Sequence, residues 1–177
     1  KMPQHILVAN RGEIAIRVLR TAADLDIEST AIHAIDDSLS LHTRHADHVV
    51  DLEEEGVEAY LNIDNIVRVA VDNGCDAIHP GYGFLAENAH FAEVCAACDI
   101  VFIGPSPEII DSCGDKSNAK ETAVKAGVPV VPGSDGAVDS LEHGAEVAEQ
   151  VGYPVMIKAA AGGGGRGMRR AGSAEDF

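Results

Sequence analysis

Short apolar runs alternate along the chain with longer stretches in which apolar residues recur every three or four positions. That pattern predicts buried strands alternating with amphipathic helices. Residues 5–9 read as a short strand, and residues 13–26 as a helix with Ile14, Val18, Leu19, Ala22 and Leu25 on one face. A second strand is predicted at 30–35, ended by the turn-forming Asp36, Asp37 and Ser38, and a brief third at 48–51. A helix over 63–71 is stopped by Asn73 and Gly74. A strand at 76–79, a helix at 87–99 and a strand at 100–103 follow, closed by Gly104 and Pro105. This repetition predicts the α/β class: a Rossmann-like, doubly wound parallel sheet.

After Pro105 the grammar changes. Residues 111–126 read as one helix ending at Gly127, and Pro129, Pro132 and Gly133 among valines suit a domain junction or an edge strand. A helix over 140–151, a strand over 155–159, a glycine run and a short strand over 168–171 complete the pattern. The stretch after Val151 is expected to be poorly ordered without a neighbour to pack on. Ser173, with an acid two and three residues on, has the form of a helix cap. The chain stops inside that predicted helix, as expected of a piece of a longer protein, and Lys1 before Met2 suggests a tag remnant.

Composition narrows the function. The chain has 177 residues, 46% of them hydrophobic, which suits one to two domains. The formal net charge of -16 argues against a nucleic-acid partner or an anionic membrane surface, because both require a basic face. The apolar runs are too short to span a bilayer, and the expected location is cytoplasmic. Cys95 and Cys98 form a C-x-x-C within the apolar stripe of the helix predicted at 87–99, with no second pair at zinc spacing; the expectation is that they are buried core cysteines. Cations are sparse but clustered: Lys158, Arg166, Arg169 and Arg170 face only Glu175 and Asp176 over residues 158–177, which suggests a local anion site.

Gly162-Gly163-Gly164-Gly165-Arg166-Gly167 is the strongest local signal, since backbone N–H groups without Cβ atoms can close on phosphate oxygens. It is not a P-loop, because Met168 and Arg169 stand where Lys and Ser or Thr are required. The spacing fits a dinucleotide fingerprint, but that must open a helix, whereas residues 168–171 read as a strand. A strand–glycine loop–strand forms a hairpin lid over a nucleotide instead; a plain flexible linker would not need Lys158 and Arg166. Lys158, in an apolar strand beside the loop, suits neutralisation of phosphoryl charge better than a solvent-reaching lysine. The loop from His79 to Asn88 leaves a strand at the carboxyl edge of the sheet, where α/β ligands sit, and presents Tyr82 and Phe84 with Glu87 near the next helix. Read from the residues alone, a rigid turn packing its aromatics inward is as good an account. Asn10-Arg11-Gly12-Glu13 suggests a turn into a helix, and Asp36 sits where a ribose-binding acid would.

In chain order, Ile-Leu-Val-Ala-Asn-Arg-Gly-Glu-Ile-Ala from Ile6, His-Pro-Gly-Tyr-Gly-Phe-Leu-Ala-Glu-Asn from His79, Phe-Ile-Gly-Pro-Ser from Phe102, Gly-Asp-Lys from Gly114 and Tyr-Pro-Val-Met-Ile-Lys-Ala from Tyr153 resemble the amino-terminal part of a biotin carboxylase. The resemblance covers essentially the whole chain; Ala86 stands where the His79 motif commonly has Ser. It implies ATP-dependent carboxylation of biotin by bicarbonate through carboxyphosphate, with magnesium. It also implies a pre-ATP-grasp domain at 1–114 and the truncated beginning of an ATP-grasp lid at 115–177. Lys116 and Lys158 match lysines that contact ATP phosphates, and Gly163, Gly164, Gly165 and Met168 match the nucleotide lid. Tyr82, Gly83, Phe84 and Glu87 match a loop on the biotin and bicarbonate side. Arg20 and Asp24 match a homodimer helix. Metal-binding glutamates and the other catalytic groups are expected beyond Phe177, so no metal ligand is assigned and the piece alone is expected to be inactive. A biotin carboxyl carrier protein or domain and a carboxyltransferase are the implied partners, in an acyl-CoA carboxylase of the acetyl or propionyl type. The alternatives are another ATP-grasp ligase, such as carbamoyl phosphate synthetase, or a non-catalytic Rossmann-like module using Asp36.

Overall fold

The computed structural model describes residues 2–114, 116–134, 136–159 and 167–177, and for 116–118 the backbone alone. The chain divides into two compact units, Lys1–Asp111 and Ser112–Phe177. Among the described residues no helix is long and apolar enough to cross a membrane.

In the first unit β1 (His5–Val8), β2 (Glu28–His33), β3 (His48–Asp51), β4 (Ala77–His79) and β5 (Val101–Phe102) form one sheet in the order β3-β2-β1-β4-β5. Every pairing in it is parallel. β1 is central and buried throughout, so successive side chains feed opposite layers. Ile6 and Val8 pack with Ala15, Val18, Leu19 and Ala22 of α1 (Gly12–Asp24). Leu7 turns the other way, into a larger core with Ile32, Tyr60, Ile66 and Val67 of α2 (Ile63–Asp72) and Phe91 and Cys95 of α3 (Ala89–Ala97). Helices on both faces of a parallel sheet are the doubly wound arrangement that the hydrophobic pattern predicts.

The ends of elements differ from the sequence-based expectation, each for a local reason. α1 stops at Asp24 because Asp26 takes a left-handed φ of 53°, leaving Leu25 exposed rather than on the buried face. β2 ends at His33, and Ile35 is exposed at the start of a 3₁₀ turn, Ile35–Asp37. α3 begins after Asn88, whose side chain accepts from Phe91 N at 2.9 Å, so Glu87 lies outside it. Cys95 is buried, its thiol pushed up to about 12 by that burial, but Cys98 sits exposed at the helix end, against the expectation of two core cysteines.

The single helix expected at 111–126 is two, α4 (Pro107–Gly114) and α5 (Lys116–Lys125), with Asp115 outside the described residues. Among the described residues, 128–133 pair with no strand. In the second unit α6 (Leu141–Val151) is capped by Ser140, which accepts from His143 N at 3.1 Å. After Val151, β6 (Val155–Lys158) and β7 (Met168–Ala171) pair as an antiparallel hairpin. The Phe177 ring lies so close to Gly144 of α6 that a Cβ there would sit 2.8 Å from it. Ser173 does not cap: its hydroxyl donates to the Glu175 carboxylate at 3.0 Å.

Candidate active-site edge of the sheet

Three loops leave the carboxyl ends of β1, β2 and β4 side by side, and their side chains bind one another. Asn10, just past β1, is buried; its Nδ2 donates to the carbonyls of Pro80 at 2.8 Å and Tyr82 at 2.9 Å. Its Oδ1 accepts from Arg11 N at 2.8 Å, which fixes the amide's orientation. Gly81 holds a left-handed φ of 66° directly against this clamp, and a Cβ there would approach Asn10 Nδ2 to 2.7 Å. Glycine is required on both counts. His79 Nδ1 accepts from Gly81 N at 3.0 Å, and burial holds this imidazole's pKa below its ordinary value. The accepted bond and the neutral ring agree.

Behind the loop lies a part-buried ionic network. Asp37, 8% exposed, meets the Arg11 guanidinium through two contacts, Nε to Oδ2 at 2.5 Å and Nη2 to Oδ1 at 2.6 Å. It also accepts from Tyr60 at 2.8 Å and Ser40 at 2.9 Å. Burial works to raise the Asp37 carboxyl, and the bonds from Arg11, Tyr60 and Ser40 outweigh it, holding the group below the usual carboxylate range. Tyr60 in turn accepts from Ala34 N at 3.2 Å and stacks on Phe84 with centroids 5.2 Å apart and planes 9° from parallel. Through Tyr60, the charge pair reaches the ring at the end of the loop.

The loop divides its aromatics. Phe84 packs inward at a left-handed φ of 41°, while Tyr82 is exposed and donates its phenolic proton to Glu13 at the start of α1. That carboxylate acceptor pushes the phenol's pKa up. Gly83 and Glu87 are exposed on the same loop. The structure therefore brings Tyr82, Gly83, Phe84 and Glu87 together on one loop, with only Phe84 inward. Asp36 is not the inward acid: its exposed carboxylate accepts from Gly56 N at 2.8 Å. Sequence reasoning missed Asp37, Tyr60 and the role of Asn10.

In the second unit, Lys158 ends β6 opposite Met168, and Met156 pairs with Arg170. Strand alternation then puts Lys158 and Arg170 on one face of the hairpin, both exposed, with the glycine run joining its strands. Gly163, Gly164, Gly165 and Arg166 lie outside the described residues, as does the side chain of Lys116 at the start of α5. Arg20 and Asp24 stand one turn apart on the exposed side of α1, away from Leu19 and Ala22.

A parallel sheet with helices on both faces defines the α/β doubly wound class, in which ligands generally sit at the carboxyl edge. The family described as "Biotin carboxylase, N-terminal domain" matches residues 2–110, and "Carbamoyl-phosphate synthase L chain, ATP binding domain" matches residues 115–177. The chain belongs to the biotin carboxylase family. It is 55% identical to a biotin carboxylase of Nostoc sp. over 173 residues, 97% of this chain and 39% of the relative. It resembles a crystal structure of a biotin carboxylase–β,γ-ATP complex from Campylobacter jejuni with a TM-score of 0.94 at 46% identity, covering 99% of this chain and 40% of that one. It also resembles the biotin carboxylase domain dimer of Hydrogenobacter thermophilus 2-oxoglutarate carboxylase, in complex with MgADP, ADP and bicarbonate, with a TM-score of 0.93 at 46% identity, covering 99% and 39%. The chain thus spans about two fifths of these relatives.

Proposed function

We propose that this chain is the amino-terminal part of a biotin carboxylase, which carboxylates carrier-bound biotin with bicarbonate and ATP within an acyl-CoA carboxylase. The observation that carries the reading is the His79–Asn88 loop, held at the carboxyl edge by Asn10 and backed by Tyr60, in a chain of this family. Tyr82, Gly83, Phe84 and Glu87 line the biotin and bicarbonate side, the role of the loop being position and exclusion of water rather than proton transfer. Lys116 and Lys158 neutralise phosphate oxygens, and Gly163, Gly164, Gly165 and Met168 cover the nucleotide. The exposed pair Lys158 and Arg170 on one hairpin face has the donor chemistry phosphate requires. Magnesium bound with ATP would supply charge neutralisation at the transferring phosphoryl group.

The division into an amino-terminal domain at 1–114 and the ATP-grasp beginning at 115–177 belongs to the same proposal. So do pairing of two protomers through Arg20 and Asp24, delivery of biotin by a carrier protein or domain to a separate carboxyltransferase, and a cytoplasmic location. In the complete protein Lys158→Ala removes a charged hydrogen bond of about 1.5–3 kcal/mol, roughly ten- to a hundredfold in nucleotide affinity. Calorimetric titration with ATP checks this, and unchanged affinity together with unchanged turnover contradicts the assignment.

A further inference from the structure

At the opposite, amino-terminal edge of the sheet, three neighbouring strands bring metal-binding side chains together. β1 begins at His5, β2 at Glu28 and β3 at His48. The register pairs His5 with Glu28 and Thr30 with His48, and Glu28 and Thr30 are two apart, so all four side chains share one face. One donor atom from each of His5, Glu28 and His48 lies within 4.8 Å of the other two. His48 Nε2 already meets Glu28 Oε1 at 2.6 Å, and the imidazole centroids of His5 and His48 are 5.5 Å apart.

We propose that His5, Glu28 and His48 form a transition-metal site of the zinc class, separate from the nucleotide's magnesium. Two imidazole nitrogens and one carboxylate oxygen are the donors zinc takes, whereas magnesium and calcium demand oxygen alone. Metal–ligand bonds of about 2.0–2.1 Å bring tetrahedral donors to about 3.3 Å from one another. The gap from 4.8 Å closes by side-chain rotation at Glu28 and His48, which are 53% and 49% exposed and open to solvent. His5 is the fixed ligand: Thr30 Oγ1 holds its ring Nε2 at 2.8 Å in the interior, and Asp76 accepts from its backbone N at 3.0 Å. A ligating histidine anchored through a second polar partner is the usual support of such a site. Three protein ligands leave a fourth position for water, and the bound ion straps β1, β2 and β3 together at the ends where no loop joins them directly. The site stands independently of the biotin carboxylase reading.

The test titrates the chain, free of any histidine tag, with zinc chloride against a colorimetric chelator in excess magnesium. One equivalent of zinc is expected to bind, with affinity falling at least tenfold in both His48→Ala and Glu28→Ala. His90→Ala, an exposed histidine on α3, and a Cys98→Ser/Cys113→Ser double variant are expected to retain it. Because Glu28 and His48 are exposed, their removal leaves the core intact, and circular dichroism verifies that. Zinc is also expected to raise the melting temperature of the parent and not of His48→Ala. Absence of stoichiometric uptake, uptake unchanged in His48→Ala and Glu28→Ala, or uptake lost with the two exposed thiols each overturns the proposal.

Discussion

At the scale of single residues, the carboxyl-edge loop depends on positions that tolerate one side chain. Gly81 combines left-handed backbone with a clamp that leaves no room for Cβ. Gly81→Ala is expected to cost about 1–2 kcal/mol from the backbone alone, and more from the collision with Asn10; the urea midpoint measures it. Two histidines, buried His42 and half-buried His79, give a pH signature. Burial lowers the pKa of both His42, whose Nε2 lies 2.9 Å from the Ile32 carbonyl, and His79. The unfolded chain then binds more protons below about pH 6.5, so stability is complete above that value and falls as pH drops below it. A urea midpoint lower at about pH 5.5 than at about pH 7.5, with the difference reduced in His42→Gln, is the expected result. Sequence alone did not separate Asp37 from Asp36, because two adjacent acids in a turn look alike. The turn of the 3₁₀ segment Ile35–Asp37 decides which carboxylate meets Arg11.

At the scale of elements, β1 was legible to within one residue because a doubly covered parallel strand is apolar on both faces. Helix ends were less legible, since they are set by caps and left-handed residues rather than by periodicity. Asn88 starts α3 two residues later than the apolar stripe suggests, and Asp26 follows the early end of α1. These features carry stability. Asn88→Ala is expected to cost about 1 kcal/mol. Leu19→Ala, at a fully buried position between α1 and the sheet, is expected to cost about 2–5 kcal/mol. Equilibrium denaturation of the two variants gives that ranking, and equal losses would mean that α1 packs less tightly than its burial indicates.

At the scale of the molecule, the family was legible in the His79 motif and the order of the motifs around it, and the fold in the alternation of strand and helix. The ionic network behind the loop was not, because Arg11, Asp37 and Tyr60 are far apart in sequence and meet only through the order β3-β2-β1-β4-β5. The two compact units differ in what they carry, with loop and core in the first and the exposed cations Lys158 and Arg170 on the hairpin of the second. The most direct test follows phosphate release by the complete protein with ATP, magnesium and bicarbonate, with and without free biotin. The account predicts release that requires bicarbonate, rises on addition of biotin and falls in Lys158→Ala. Release indifferent to both biotin and bicarbonate would contradict it.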